Sequence, residues 1–399
     1  MDVKKLANSD IIDKKISISV LSYFLVLLSQ FTIRIISNNM EGEISDLIKI
    51  FAVLIQGLLY LYSFIYVYKR KGMTIIKVYT FFIIVFLIND LVHYENSKYL
   101  INVIFPFFFT CLPAYLYVSS IENFKNFEYI MNKVADLSFI FTIIILISVL
   151  LGLGENIEYS MGLSYYLLFS LIIFTKKFIE NYNIIDLIKV LITFILIVLL
   201  GARGPILCFG AYYFLKKYNF KDILSIRDIV SKIFTLIVII VLLYNYRYFL
   251  KIIYDFFYYN FNIRSRTIEL LINDIYHSSG RNIIYSNMIT NINSHPFLGV
   301  GIAGDRAIMG DSALYAHNII LEILVSFGII IGSIIIILLL FLMMYAIVKS
   351  NNKTYNMIII WICIGFISLL FSESYLREIN FWIMLAMLIK ISRGKSIYY

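Results

Sequence analysis

Long apolar runs separated by short polar connections dominate the chain. Each run has about the length of one membrane-crossing helix, roughly 17–25 residues for a hydrocarbon core about 30 Å thick. They lie at 16–37, 44–68, 74–92, 99–121, 130–152, 161–178, 184–200, 204–215, 229–249, 327–348, 355–372 and 378–392. The run at 204–215 is short, so we expect it to be tilted or to continue past Leu215. The pattern predicts an all-α polytopic membrane protein with about twelve transmembrane helices.

Composition supports this prediction. Hydrophobic residues make up 61% of the 399 residues and charged residues 15%, against about 45–50% and 25% in soluble domains. The N-terminus carries lysines and then a full-length apolar span without a cleavage site, so no cleavable signal peptide is expected. The three cysteines lie far apart inside apolar runs and are expected to be core residues, not a disulfide framework or a metal cluster.

Positive charges alternate from one connection to the next. Lysine and arginine concentrate at 69–72, 176–177, 216–222 and 349–353, whereas 38–43, 152–160 and 372–378 carry few of them. The positive-inside rule then places the first set and both termini in the cytoplasm. The net charge of +9 is thereby explained mostly by topology, and no nucleic-acid partner is expected.

This topology divides the chain into three segments. Residues 1–249 form an N-terminal bundle of about nine spans, and 318–399 form a C-terminal bundle of about three. Between them, 250–317 form one large external loop with amphipathic helices, which we expect to be catalytic. The interval from 247 to 317 is unusually cationic for an external loop, with Arg247, Lys251, Arg264, Arg266, Arg281 and Arg306. These cations are either ordinary solvated surface, because long loops obey the charge rule weakly, or ligands of an anionic substrate.

An amphipathic helix is predicted within that loop over residues 278–296, SSGRNIIYSNMITNINSHP. Ser278 or Ser279 is expected to cap it. Its apolar face is predicted to comprise Ile284, Tyr285, Met288, Ile289 and Ile292. Arg281 falls in the first turn, where the helix dipole disfavours a cation. That placement indicates an anion bound between them, or an arginine that reaches lipid phosphate.

A second arginine begins a helix on the predicted outer side. In GARGP (201–205), Pro205 in the first turn favours a helix start. The two glycines expose backbone N–H groups, and Arg203 adds a guanidinium able to bind phosphate with two hydrogen bonds. An arginine at the rim of a transmembrane helix is costly unless it faces a polar cavity.

The stretch HPFLGVGIAG (295–304) offers tight glycine turns, and the sequence AHN precedes the next apolar run. As one helix, residues 318–348 would be about 46 Å long, too long for one upright span, so we expect a break at Gly328 or Gly332. Asn318 is predicted near the helix cap and Glu322 one turn later. His317 would lie at the outer mouth, either as a structural residue or as an imidazole near its ordinary pKa that takes a proton from a sugar hydroxyl.

Taken in order, GARG, SGR, HPFLGVG and HN followed by EILVSFGIIIG resemble the O-antigen polymerase and ligase superfamily of bacterial surface polysaccharide synthesis. The resemblance covers about residues 185–350. It implies a GT-C-like membrane glycosyltransferase that acts on an undecaprenyl-diphosphate-linked oligosaccharide at the outer face of the plasma membrane, inverts the anomeric carbon, and needs no metal and no cofactor. Arg203 and Arg281 would bind the diphosphate, with His317 as the base. Arg264, Arg266, Arg306, Asn318 and Glu322 would contribute to substrate binding.

Three functions remain open on these residues. A polymerase would join lipid-linked repeat units of an O-antigen or capsule. A ligase would move the finished glycan to lipid A-core, using the same donor site. A transporter of polysaccharide or lipid-linked oligosaccharide would also have about twelve spans, but usually shows internal repeats and midplane charges. We favour the polymerase, with membrane lipid, a repeat-unit flippase and a chain-length regulator as possible partners.

Overall fold

In lipid, a chain of this composition can satisfy its backbone hydrogen bonds within a single segment only as a helix. A computed structural model describes residues 3–36, 43–151, 161–218, 246–261, 269, 272, 281–310 and 315–394. All the regular secondary structure within these ranges is helical. The α-helices are α1 Val3–Leu21, α2 Tyr23–Ile36, α3 Glu43–Lys71, α4 Met73–Val92, α5 Ser97–Pro106, α6 Leu112–Ser120, α7 Phe124–Leu150, α8 Met161–Asn181, α9 Ile184–Leu199, α10 Arg203–Lys217, α11 Tyr246–Phe261, α12 Arg281–Ser294, α13 Gly304–Met309, α14 Ile319–Lys349, α15 Asn352–Ile362 and α16 Ile379–Ser392.

Eight helical segments within the described ranges are long and apolar enough to cross a membrane, so the chain is membrane-embedded. They are Asn8–Ile35, Ile50–Lys71, Met73–Val92, Tyr94–Ser120, Phe124–Leu150, Met161–Asn181, Ile319–Lys349 and Asn352–Leu370. The helices at three other predicted spans, α9, α10 and α16, have 16, 15 and 14 residues. Most of the predicted span at 229–249 lies outside the described residues.

The chain separates into two compact units. The first comprises Met1–Ser22, Ile55–Ile130 and Ser278–Tyr399, and the second Tyr23–Leu54 and Met131–His277. In the first unit, α16 packs against α6, α14 and α15. Gly365 permits close approach to α16, because a Cβ at that position would lie 2.6 Å from the Asn380 carbonyl oxygen. Phe107 and Trp382 meet edge to face at 5.1 Å in the same core.

The second unit is built around the pair α8 and α9, with α10 and α2 packed on α8. Leu167, Leu171 and Leu196 are fully or almost fully buried at its centre. Asp136 accepts hydrogen bonds of 2.8 Å from both Lys177 and Lys189, which ties α7 to α8 and α9. Because lipid is as apolar as these side chains, their contribution to the unit is close van der Waals packing between the helices.

Helix α12 packs on α14 in the first unit through one apolar stripe. Ile284, Met288 and Ile292 are buried against it, at the spacing of four residues that places side chains on one helix face. This stripe is narrower than the predicted apolar face, in which Ile289 is 50% exposed. Ser278 and Ser279, the predicted caps, lie outside the described residues.

Candidate functional site

Arg281 is the first residue of α12 and is half-buried. Within the part of the chain that the structure describes, no carboxylate pairs with its guanidinium. A cation at the positive end of a helix is unfavourable without a counter-ion. The arrangement therefore retains the capacity to bind an anion that the sequence predicted for Arg281.

The break predicted in the long apolar run is confirmed at Gly328. This residue has φ 75° and ψ 175° inside α14, and a Cβ there would lie 2.6 Å from the Phe297 carbonyl oxygen. The break frees carbonyl groups that the turn at 295–304 then satisfies. Three main-chain hydrogen bonds join the two segments, donated by Val300 to Val325 (2.9 Å), by Gly301 to Ser326 (3.0 Å) and by Ile329 to Pro296 (2.7 Å).

Two asparagines from the end of α4 and the turn after it hold the other side of the glycine turn. The Ile302 N–H donates to Asn89 Oδ1 at 2.6 Å, and Asn96 Nδ2 donates to the Val300 carbonyl at 2.7 Å. A Cβ at Gly301 would lie 2.5 Å from the His93 imidazole. The 295–304 turn is thus fixed on both sides, which in turn fixes the segments that carry Arg281 and His317.

His317 lies directly before α14 in a left-handed backbone conformation, with φ 55°. Its ring packs against Tyr315, with 4.2 Å between centroids. Its Nδ1 atom is buried and has no hydrogen-bond partner among the described residues. Burial first, and the nearby Arg281 charge second, lower the pKa of His317 to about 4. The prediction of an ordinary pKa is corrected: the imidazole is neutral over the physiological range, because its surroundings disfavour a second positive charge.

Asn318 caps α14, as predicted. Its side-chain oxygen accepts hydrogen bonds from the N–H groups of Ile320 at 2.9 Å and Leu321 at 3.3 Å. An asparagine cap is worth about 1 kcal/mol relative to alanine. It also fixes the point at which the chain leaves the His317 conformation and enters the helix, so its observed role is structural positioning.

A buried ion cluster formed by Asp305, Arg306, Glu322 and Ser374 adjoins the segment that carries His317. The side chains of Asp305, Arg306 and Glu322 are 0, 5 and 1% exposed. Arg306 donates to Asp305 at 2.8 Å and to the Ser374 hydroxyl at 2.9 Å, and that hydroxyl donates to Glu322. The second Asp305 oxygen accepts from the N–H of Ala316 at 3.1 Å, next to His317.

Two of the predicted substrate ligands belong to this cluster. Arg306 and Glu322 are expected from the sequence to face a substrate, but both are buried and bonded within the cluster. Burial lowers the pKa of Arg306, and the adjacent Asp305 and Glu322 carboxylates outweigh it, so that the net shift is upward. Removing one partner of such a buried set costs about 3–5 kcal/mol. The geometry of Arg306 and Glu322 therefore favours a structural role, in which they help to hold the 315–318 segment in place.

The connection at 372–378 contributes a group that sequence reasoning missed. Glu373 has a left-handed backbone, with φ 61°. Burial first, and the nearby Glu373 charge second, raise the pKa of Tyr315, the residue that packs on His317, to about 12. Burial raises the pKa of the Glu373 carboxyl, and the charges of Arg377 and Arg306 oppose that shift. The only sequence signal was its place in a short connection on the predicted outer side.

Arg203 belongs to the second unit, where it is the first residue of α10. Pro205 lies buried in the first turn, in agreement with the predicted helix start. Gly201 has φ 75°, which turns the chain between α9 and α10. Arg203 is half-buried, and no described carboxylate pairs with it. Arg264 and Arg266 lie outside the described residues.

Within the described ranges no group of three or more His, Cys, Asp or Glu side chains could hold a metal ion. All three cysteines are free and buried. The arrangement thus offers a guanidinium, a neutral imidazole and a carboxyl in one unit. Comparison of the chain with protein-family models, with curated proteins and with solved structures gives no match.

Proposed function

We propose that the chain is a polymerase of lipid-linked polysaccharide repeat units, a membrane glycosyltransferase of the O-antigen and capsule type. The observation that carries the proposal is the proximity of Arg281 to His317: the helix that begins at Arg281 shares one buried apolar cluster with Ala316, the residue before His317. Arg281 is a guanidinium without a carboxylate partner among the described residues, and it lies close enough to His317 for its charge to lower the pKa of that imidazole. An anion-binding group beside a neutral base is what transfer from a diphosphate requires.

In the proposed reaction, an acceptor sugar hydroxyl attacks the anomeric carbon of the donor glycan. The new C–O bond forms as the bond between that carbon and the diphosphate oxygen breaks, with inversion at the carbon. The hydroxyl proton passes to the neutral imidazole of His317, and undecaprenyl diphosphate leaves with the bonding electron pair. Arg281 stabilises the negative charge that grows on the diphosphate.

Binding of the donor would also change the basicity of His317. A pKa of about 4 keeps His317 neutral but makes it a weak base. The diphosphate would offset the Arg281 charge that contributes to this low value. We therefore expect the basicity of His317 to rise when the donor is bound, so that proton transfer is coupled to occupancy of the anion site.

The distribution of lysine and arginine supports an orientation in the plasma membrane with both termini cytoplasmic and the site on the outer face. The twelve-span count and the external catalytic loop at 250–317 are part of the same proposal. An outward-facing site would meet a donor that the proposed repeat-unit flippase presents on that face.

The test is deletion of the gene followed by gel analysis of the surface glycan. Polymerase activity predicts one capped repeat unit in the deletion strain and restoration of the ladder by the wild-type chain. Accumulated lipid-linked polymer would instead indicate the ligase reaction, and an unchanged glycan would argue against both. Arg281→Gln and His317→Gln should each reduce polymer about 100-fold or more while the protein remains in the membrane. Lys98→Gln, which removes an exposed cation from the first turn of α5, is the matched control and should leave the ladder intact.

A further inference from the structure

Backbone strain concentrates around His317. Four non-glycine residues among those described have a left-handed backbone: Tyr182, Ala303, His317 and Glu373. The last three all belong to the first unit, within the segments joined to the ion cluster. Ordinary side chains persist in this conformation only where the surrounding structure imposes it, and such residues cluster at functional sites.

Glu373 is the ionisable residue among these last three that the proposed reaction does not use. The neighbouring carboxylates are engaged: Glu322 accepts from Ser374, Asp305 from Arg306, and Glu378 from Asn380. The Glu373 side chain is half-buried, yet its carboxylate makes no hydrogen bond or ion pair with any residue that the structure describes. A partly buried carboxylate without a partner is costly unless a ligand satisfies it.

Tyr315 connects Glu373 to the base. One face of the connection is the ring contact between Tyr315 and His317, at 4.2 Å between centroids. The other is the proximity of Glu373 to the Tyr315 hydroxyl, whose pKa is raised by burial first and by the Glu373 charge second. His317 and Glu373 are therefore neighbours of the same tyrosine.

We infer that Glu373 binds hydroxyl groups of the acceptor sugar beside His317, an assignment that rests on the proposed glycosyl transfer. The charges decide which substrate it contacts. A carboxylate repels a diphosphate, which Arg281 attracts, whereas sugar hydroxyls donate hydrogen bonds to a carboxylate. The site is then divided between a cationic side for the donor and a carboxylate for the acceptor. Arg377 and Arg306 lie near enough to favour the charged form of Glu373 against its burial.

Two variants of Glu373 separate this role from a structural one. Glu373→Gly removes the carboxylate and relieves the left-handed conformation, so the folded chain should be at least as stable as the wild type. Glu373→Gln keeps the size of the side chain and one accepting oxygen but loses the charge. Tyr182→Gly is the matched control, because Tyr182 has φ 50°, is 80% exposed and belongs to the second unit.

The experiment measures two quantities on the full-length chain. The first is the polymer ladder restored in the deletion strain, which supplies the native repeat units. The second is the increase in Tm of the purified chain on addition of undecaprenyl diphosphate. Glu373→Gly should reduce polymer about 10- to 100-fold, the effect of losing hydrogen bonds to a charged group, and Glu373→Gln should reduce it less. Both should keep the wild-type Tm increase with undecaprenyl diphosphate, which Arg281→Gln should lose. Tyr182→Gly should change neither quantity.

A full ladder from Glu373→Gly would overturn the inference and leave the polymerase proposal standing. Loss of the Tm increase in Glu373→Gly would also overturn it, since the residue would then act on the donor. Failure of the wild-type chain to restore any polymer would instead count against the proposed function itself. If Glu373→Gly does not accumulate in the membrane, Glu373→Gln decides by the same two measurements.

Discussion

His317 owes its properties to Asp305 and to its neighbours in the 315–318 segment. The N–H of the preceding Ala316 is held by Asp305, the ring packs on Tyr315, and Asn318 caps the following helix. These contacts on both sides impose the left-handed backbone, and the burial they produce disfavours protonation of the ring. A neutral imidazole whose Nδ1 atom has no partner among the described residues can accept a proton from a substrate.

This environment predicts a dependence of stability on pH. The pKa of His317 is about 4 in the folded chain and about 6.5 when unfolded. Between those values the unfolded chain binds a proton that the folded chain does not, so stability rises with pH. The contribution is complete above about pH 6.5 and is lost progressively as the pH falls to about 4. Thermal unfolding of the purified chain from pH 7.5 to 4.5 should show a steeper fall in Tm for the wild type than for His317→Gln.

The comparison with His317→Gln isolates the contribution of His317 to the pH dependence of stability. The carboxyls of Glu373 and Glu378, whose pKa values are raised, change stability with pH in the opposite direction, but they do so equally in both proteins. His295→Gln, which changes an exposed histidine just beyond α12, serves as the control. Equal slopes for the wild type and His317→Gln would contradict the burial of an uncharged imidazole.

At the scale of single residues, the sequence predicts only features that depend on neighbouring positions in the chain. His317 could be selected because the chain has only four histidines and this one directly precedes an apolar run. The ion cluster could not be predicted, because Arg306 meets Ser374 across 68 positions and Glu322 meets it across 52. Glu373 was missed for the same reason: its importance comes from contact with Tyr315, which no spacing in the sequence encodes.

At the scale of elements, the break in α14 organises the site. The N-terminal part of α14, before Gly328, is held by the turn at 295–304 through main-chain hydrogen bonds. The part after Gly328 continues as a membrane-length apolar helix. Both the helix start at Asn318 and the break were predictable, because a cap residue, a helix length and a glycine are local signals.

Substitution of Gly328 should therefore damage the site from a distance. In Gly328→Ala the φ of 75° becomes unfavourable, and the new Cβ would lie 2.6 Å from the Phe297 carbonyl oxygen. We expect a loss of about 2–4 kcal/mol in the free energy of unfolding, together with loss of polymer, because the 295–304 turn must move. Chemical denaturation of the purified chain and the gel ladder measure the two effects.

Gly57→Ala provides the control for this prediction. Gly57 lies within α3, and a Cβ there would have no neighbour within 4 Å. Alanine is the better helix former, so this variant should be neutral or more stable by up to about 1 kcal/mol. Equal behaviour of the two variants would show that the break at Gly328 does not position the turn.

At the scale of the whole molecule, the helical membrane class predicted from the sequence is confirmed, and the count of twelve spans stays a prediction. Eight of the described helical segments reach membrane length. Helices α9, α10 and α16, with 16, 15 and 14 residues, extend only about 21–24 Å at 1.5 Å per residue, less than a core of about 30 Å. Apolar composition identifies a segment that prefers lipid, but the length of the folded helix decides whether that segment can span it.

The proposed orientation can be tested by labelling with a membrane-impermeant maleimide. All three native cysteines are buried, so the wild-type chain in intact cells should react little. Asn352 is exposed at the start of the membrane-length segment Asn352–Leu370, and Arg377 is exposed beyond its end. Since Arg377 follows that segment on the proposed outer side, Arg377→Cys should label in intact cells and Asn352→Cys only after lysis. Asn293→Cys, at an exposed position of α12, should label with Arg377→Cys, because the site requires Arg281 and Glu373 to face the same compartment. Labelling of the Asn293 and Arg377 variants from opposite sides would rule out a single outward-facing site, whereas labelling of both only after lysis would reverse the proposed orientation.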